Sequence, residues 1–415
     1  MREALAPLRE REFRLLFGAR VTSFLGNAMA PVALAFAVLD LTGSKSDLGF
    51  VLAARQVPQV VFLLVGGVWA DRLPRHHVMV ASNLASGASQ TTLATLLLSG
   101  HASLWQLLVL ACVNGTSTAF FFPATTGIVP QTVPPTLLQG ANALLRLGMN
   151  ATYIAGAALG GVIVGVSSPG LAIAVDAGTF FAAAALVGAM RLPRALRLAG
   201  SNMLAELREG WHEFRSRAWL SAIVLQFGFV NAAEIGALST LGPVVAKERL
   251  GGAAVWGGLI ACESAGLILT GLVMLRLRPR RILLAATLGV LVVPLVQFAF
   301  AVPLSAPLIA ATMFVAGAGI EVFGILWDTA MQQEIPPEKL SRVYSYDALG
   351  SWILMPLGYV VVPVIANAVG NRATFLGVGV LILVCTLAVL LVGDVRNLER
   401  RDVVSAPDAE GVAAV

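Results

Sequence analysis

Along most of this chain, apolar residues follow one another without the alternation of a strand or the narrow stripe of a surface helix. Runs of about 18 or more recur, each long enough to cross a hydrocarbon core of about 30 Å as a helix. Twelve spans are predicted, at 15–39, 47–69, 78–99, 104–126, 142–166, 171–191, 218–245, 253–275, 282–302, 306–329, 343–369 and 373–393. Their connections are short, as in Gly-His-Ala-Ser at 100–103 and Ser-Ser-Pro-Gly at 167–170, so neighbouring helices run antiparallel. The one long polar connection, 192–217, falls at the midpoint. Its second part predicts an amphipathic helix on the membrane surface, with Leu204, Leu207, Trp211 and Phe214 on one face.

The pattern repeats. GGVWADRLPRHHVMVA at 66–81 and GLVMLRLRPRRIL at 271–283 each carry Gly, apolar residues, an Arg/Pro turn and a renewed apolar run. Val133-Pro134-Pro135 returns 202 positions later as Ile335-Pro336-Pro337, and the same offset carries Gly148 to Gly350 and Gly156 to Gly358. An offset of 208 carries Gly49 to Gly257 and Arg55 to Glu263. The predicted fold is an all-α membrane protein of twelve transmembrane helices in two pseudo-symmetric six-helix bundles. Its expected parts are an N-terminal bundle over 1–191, a cytoplasmic linker over 192–217, a C-terminal bundle over 218–395 and a disordered cytoplasmic tail over 396–415.

Composition agrees with a membrane setting. Of 415 residues, 57% are hydrophobic and 12% charged, against roughly a quarter charged in soluble domains. The net charge of +5 reflects topology rather than a nucleic-acid surface, because the basic residues form no stripe with interleaved aromatics. With the N-terminus inside, 21 of the 28 Lys and Arg residues fall on inner segments and four (Lys45, Lys247, Arg249, Arg372) on outer ones. That bias places both termini in the cytoplasm. The few lysines among many arginines, with the Ala/Gly/Val/Leu bias, point to a high-GC bacterium and hence to its plasma membrane. Cys112, Cys262 and Cys385 stand singly in spans without His neighbours, so neither a disulfide frame nor a metal site is expected. No cofactor motif and no Walker, HExxH or GxSxG pattern occurs, which argues against an enzyme.

GGVWADRLPRHH resembles the signature loop of the major facilitator superfamily, Gly-x-x-x-Asp-Arg-x-Gly-Arg-Arg. Gly67, Asp71, Arg72 and Arg75 match, and Pro74 stands where the signature has Gly. FRLLFGARVTSFLGNAM (13–29), LDLTGSKSDLGFVLAARQVPQVV (39–61), FFPATTGIVPQTVPPTLLQGANAL (121–144) and VDAGTFFAAAAL (175–186) are similar to the branch holding the enterobactin exporter and actinobacterial drug-efflux proteins. The resemblance implies a monomeric secondary transporter working by alternating access, moving a small-molecule drug or secreted metabolite, such as a siderophore or antibiotic, against protons across the lipid bilayer. An uptake symporter or facilitator on the same fold is the alternative. A membrane sensor or enzyme is a remote one. The signature loop would act as a conformational switch, Asp71 latching the halves; the plainer alternative is a solvated loop charge. Gly156, Gly160 and Gly161 resemble the antiporter signature Gly-Pro-x-x-Gly-Gly with Ala157 in place of Pro, and would serve leak control or plain helix packing.

Ionisable residues within spans are the default functional candidates, since burying an unpaired charge is costly. A proton-coupled exporter needs a carboxyl that burial makes able to take up and release protons near neutral pH. Glu263, near mid-span, is the first candidate, then Glu234 and Glu321, with Arg55 as repeat counterpart of Glu263. A static ion pair with Arg55, Arg20 or Arg146 is the competing role. Asn27, Gln56, Gln59, Asn114, Asn150, Gln226 and Asn231 are candidate cavity-lining residues, the alternative being interhelical hydrogen bonds. Asn27 stands where the branch often has Asp. Phe120, Phe121, Phe122, Phe227, Phe229 and Trp256 would give a cavity apolar walls suited to an amphipathic substrate, the alternative being lipid-facing or packing positions.

Overall fold

The computed structural model describes residues 5–72, 74–192, 208, 211–274, 276–302 and 304–400. Its helices are α1 (Arg11–Thr42), α2 (Lys45–Arg72), α3 (Arg75–Leu98), α4 (Leu104–Ile128), α5 (Leu138–Val166) and α6 (Pro169–Gly188), then α7 (Ala218–Val245) and α8 (Ala253–Met274). They continue with α9 in two pieces (Ile282–Val290 and Pro294–Ala301), α10 (Ala306–Glu334), α11 in two pieces (Pro337–Trp352 and Met355–Val369) and α12 (Asn371–Val389). Among the described residues, ten helical stretches are long and apolar enough to cross a membrane. α2 and α3, at 28 and 24 residues, match them in length but are not among the ten. The chain is an integral membrane protein.

Two predicted spans are interrupted. The 282–302 span breaks over 291–293 and 343–369 breaks at 353–354, each just before a proline, Pro294 or Pro356. A proline has no N–H to continue the ladder, so the turn before it shortens to i+3 bonds such as Val293 N–H to the Val290 carbonyl (3.1 Å). α11 also begins earlier than predicted, at Pro337, where a proline suits a helix N-terminus. Gly43 and Gly251, 208 positions apart, end α1 and the π-helical extension of α7 (Ala246–Leu250) at φ of 66° and 101°. Both turns use the left-handed region that favours glycine.

Helix contacts repeat with the sequence. α1 packs on α5 and α6, α2 on α4, and α3 on α4 and α6. α7 packs on α11 and α12, α8 on α10, and α9 on α10 and α12. Between the two sets the main pairs are α5 with α8 and α2 with α11, which the repeat exchanges. The arginine-rich loops define a basic face, and the α1–α2, α7–α8 and α11–α12 turns lie on the far face.

Two sequence expectations are sharpened. Leu204 and Leu207 lie outside the described residues, but 211–215 is helical and packs against protein through its aromatic side chains. Trp211 lies 5.6 Å from Phe214 and 5.4 Å from Tyr346 of α11, ring to ring. At the other end, the expected disordered tail begins too early at 396. A short helix, Gly393–Asn397, leads to residues that pair with the α8–α9 connection. Ile282 N–H donates to the Leu398 carbonyl (3.1 Å) and Arg400 N–H to the Arg280 carbonyl (2.7 Å), which satisfies backbone that the loop would otherwise leave open. Residues 401–415 lie outside the described residues.

Candidate functional site

The close approach of the helices is set by glycines. A Cβ on Gly161 of α5 would lie 2.6 Å from the Ala253 carbonyl oxygen and 3.0 Å from the Gly257 Cα of α8. Gly156 and Gly160 instead face α1, against Leu25, Ala28 and Met29. The span-5 glycines therefore divide: two pack within one set of helices, and Gly161 lies where the sets meet. The repeat is equally visible at Gly115 of α4, packed on the Arg55 carbonyl, and Gly317 of α10, 202 positions on, packed on the Glu263 carbonyl. These two contacts put Arg55 and Glu263 at equivalent places.

Between the sets at mid-depth lies a cavity of about 530 Å³. Arg55, Gln56 and Gln59 reach it from α2, Tyr153 from α5, Asn231, Glu234 and Ser239 from α7, Glu263 from α8, and Tyr359 from α11. Glu263 is the eleventh of the 22 residues of α8. Phe227, Phe323 and Trp256 form apolar wall, with the Phe227 and Phe323 rings 4.3 Å apart. Glu234 is 8% exposed. Among the described residues neither Glu234 nor Glu263 makes a hydrogen bond or an ion pair, although the two lie close enough for their charges to interact. A second cavity of about 360 Å³ shares Phe227, Asn231 and Phe323 with the first. It continues past Trp327, Tyr344 and Asp347 toward the basic face.

Other predicted residues lie elsewhere. Gln226 does not line the cavity: it is buried between α7 and α12, donating to the Thr386 hydroxyl (3.0 Å). Asn27 bonds its own helix at the Ser23 carbonyl (2.9 Å) and Asn150 is exposed, so neither lines it. Asn114 opens on a separate small chamber with Arg55 and Gln90. Glu321 is half-buried beside Gly271 on the α8–α10 seam, away from the cavity, within electrostatic reach of Arg146. Phe229 is 47% exposed on the outer surface of the helices rather than in the cavity wall. Gly67, Asp71 and Arg72 belong to the last part of α2, and their side chains lie outside the described residues; Arg75 opens α3.

The sequence reading missed Asp176 of α6, fully buried and held by Gln90 Nε2 at 2.8 Å. It also missed Asp347, which accepts from Trp327 Nε1 (3.0 Å), and the cavity tyrosines Tyr153 and Tyr359. The rule that found Glu263, an acid inside an apolar run, would have found Asp176 in LAIAVDAGTFF. The tyrosines carry no such signal.

Membrane helices meeting around a mid-depth cavity with a few polar groups in an apolar wall fit a small-molecule transporter. The Major Facilitator Superfamily profile matches residues 16–354, and the chain belongs to that superfamily, whose members are transporters and not enzymes. It is similar to Macrolide efflux protein A of Streptococcus pyogenes, 22% identical over 94% of this chain and 97% of the relative. It is also similar to Multidrug efflux pump Tap of Mycolicibacterium fortuitum, 26% identical over 93% and 96%. To Enterobactin exporter EntS of Salmonella choleraesuis it is 26% identical over 95% of each chain. Among solved structures, a peptide transporter POT in complex with sulfate superposes with a TM-score of 0.75 at 15% identity, covering 94% of this chain and 96% of that one. The nucleoside transporter NupG gives 0.69 at 13%, covering 91% and 98%. Both show the shared fold.

Proposed function

We propose that this protein exports an amphipathic drug or secreted metabolite in exchange for protons, by alternating access between two six-helix bundles, 1–191 and 218–395. The linker 192–217, the tail 396–415 and both termini would lie in the cytoplasm of a bacterial cell, with the monomer as the working unit. The observation that carries the reading is the mid-depth cavity, whose aromatic wall holds Glu234 and Glu263 without ion pair or hydrogen bond among the described residues. Its volume of about 530 Å³ lies in the range of drug-sized sites. Two carboxyls that feel each other's charge away from bulk water are best satisfied when one holds a proton or faces a cation. Proton and substrate then compete for the same wall, which is what exchange requires. The names of the efflux relatives support the export direction. The signature loop, Gly67 to Arg75, would take the switching role, and Gly161 at the bundle seam the leak-control role.

Expression in a host lacking its main efflux pumps, screened across antibiotics and dyes, tests the reading. Resistance is expected, with a protonophore raising cellular accumulation of the compound; a protonophore that lowers accumulation would indicate uptake instead. Glu263→Gln is expected to abolish resistance at unchanged protein level in the membrane. Unchanged resistance in that variant removes Glu263 as the coupling acid.

A further inference from the structure

Arg55 lines two spaces. One is the central cavity, and the other is a chamber of about 20 Å³ enclosed by α1, α2, α3, α4 and α6. That volume admits a single water. Gln90 and Asn114 share the chamber wall with Arg55. Asn114 is 4% exposed, and among the described residues neither its Oδ1 nor its Nδ2 has a partner. Gln90 passes on to Asp176, which has no exposure. The other carboxyl oxygen of Asp176, Oδ1, also has no partner among the described residues. Thr179, beside it, donates its hydroxyl to the Asp176 backbone carbonyl (2.7 Å). A Cβ at Gly26 of α1 would run into this carboxylate, so that position keeps α1 close and the pocket sealed.

The result is a buried acid and a half-buried base that interact electrostatically without touching, separated by an amide and a water-sized space. An isolated charge in either place would be strongly unfavourable. We propose, on the transport reading above, that Asp176 is the positioning residue for Arg55. Through Gln90 and one water held by Asn114, it draws the guanidinium toward the N-terminal helices and away from the acids of the central cavity. Glu263 and Glu234 thereby stay free for a proton or a substrate cation, while Arg55 interacts with Asp176 and Tyr359 and is kept from swinging across the cavity to pair with them.

The purified wild type, Asp176→Asn, Asp176→Glu, Arg55→Gln and the Asp176→Asn/Arg55→Gln double variant test this by thermal unfolding in detergent and by labelling with a hydrophobic carbodiimide, read at Glu263 by mass spectrometry. Each neutralising single variant is expected to lose about 5 °C, the double variant to recover most of that loss, and Asp176→Glu to stay near the wild type. In Asp176→Asn the released Arg55 is expected to pair with Glu263 and cut its labelling about fivefold, and the double variant to restore it. If Asp176→Asn does not fold while the double variant does, the pairing stands. Additive losses, a double variant that fails to fold, or Glu263 labelling that is equal in Asp176→Asn or absent in the wild type overturns it. None of these readouts depends on export, so absence of resistance in the cellular screen would count against the transport reading alone.

Discussion

At the residue scale, the contact between Gly161 and Gly257 is a tight constraint on the α5–α8 seam. A Cβ on Gly257 would come within 2.5 Å of the Ala157 carbonyl oxygen and 2.9 Å of the Gly161 Cα. Those atoms are backbone and cannot rotate aside, so α5 and α8 would have to separate. The next residue, Gly258, has nothing within 4 Å of the same added atom. Gly257→Ala is therefore expected to cost about 1–3 kcal/mol of stability and most of the transport rate, whereas Gly258→Ala leaves both unchanged. Thermal unfolding and dye efflux of the two variants check this, and equal behaviour would show that the seam is not tight. What the sequence made legible follows the same logic. Spacing alone aligned Arg55 with Glu263, because the repeat is written into the chain; it could not say that Gln226 turns toward Thr386 while Asn231, five residues on, reaches the cavity. Which side of a helix meets water is decided by packing in three dimensions, and a helix apolar all round carries no stripe that reveals it.

At the element scale, prolines and docking contacts altered what hydropathy predicted. Apolar runs identify spans but are blind to breaks within them, so α9 and α11 read as continuous although Pro294 and Pro356 interrupt both. The second part of the linker was legible as amphipathic, but its partner was not. Glu213 ties it down, accepting from Arg217 and from Lys339 Nζ (3.0 Å), while Arg217 also donates to the Glu334 carbonyl (2.9 Å). The hydrogen bond from Arg217, then that from Lys339, holds the Glu213 carboxyl below its ordinary value of 4.5. The docked form thus gains stability from this charge above pH 4.5, and loses it as pH falls through the lower docked value. In a variant whose one tryptophan is Trp211, emission is expected to report undocking as pH drops below that window, and Glu213→Gln to be undocked to a similar degree at neutral pH. An acid transition that persists unchanged in Glu213→Gln would assign it to another group.

At the scale of the whole molecule, the question is what holds one face closed. The chain has three lysines, and each makes a tie between helices rather than merely biasing topology. Lys339 joins α11 to the linker segment, while Lys45 and Lys247 join the two sets of helices on the far face. Lys45 Nζ donates to the Ala366 carbonyl (3.0 Å) and to Asn371 Oδ1 (2.6 Å), and Lys247 Nζ to Asp40 (2.5 Å) and the Leu39 carbonyl (3.3 Å). An ammonium near the end of α11 or α1 meets carbonyls that the helix leaves open and the negative end of its dipole. Asn367 Nδ2 adds a bond to Ser46 Oγ at 2.8 Å. Each such contact in water is worth about 1 kcal/mol or less, so together they favour the closed far face by a few kcal/mol, enough to set a population yet weak enough to be overcome in a cycle. Alternating access requires that these bonds break once per turnover. Ser46→Cys with Asn367→Cys, in a background with Cys112, Cys262 and Cys385 replaced, places two thiols where hydroxyl and amide now touch. Oxidation is expected to cross-link α2 to α11 and stop efflux, and a reducing agent to restore it. Efflux at the uncross-linked rate with the disulfide quantitatively formed would mean that the far face never opens, and that the substrate leaves the cavity by some route other than a rocking of the two bundles.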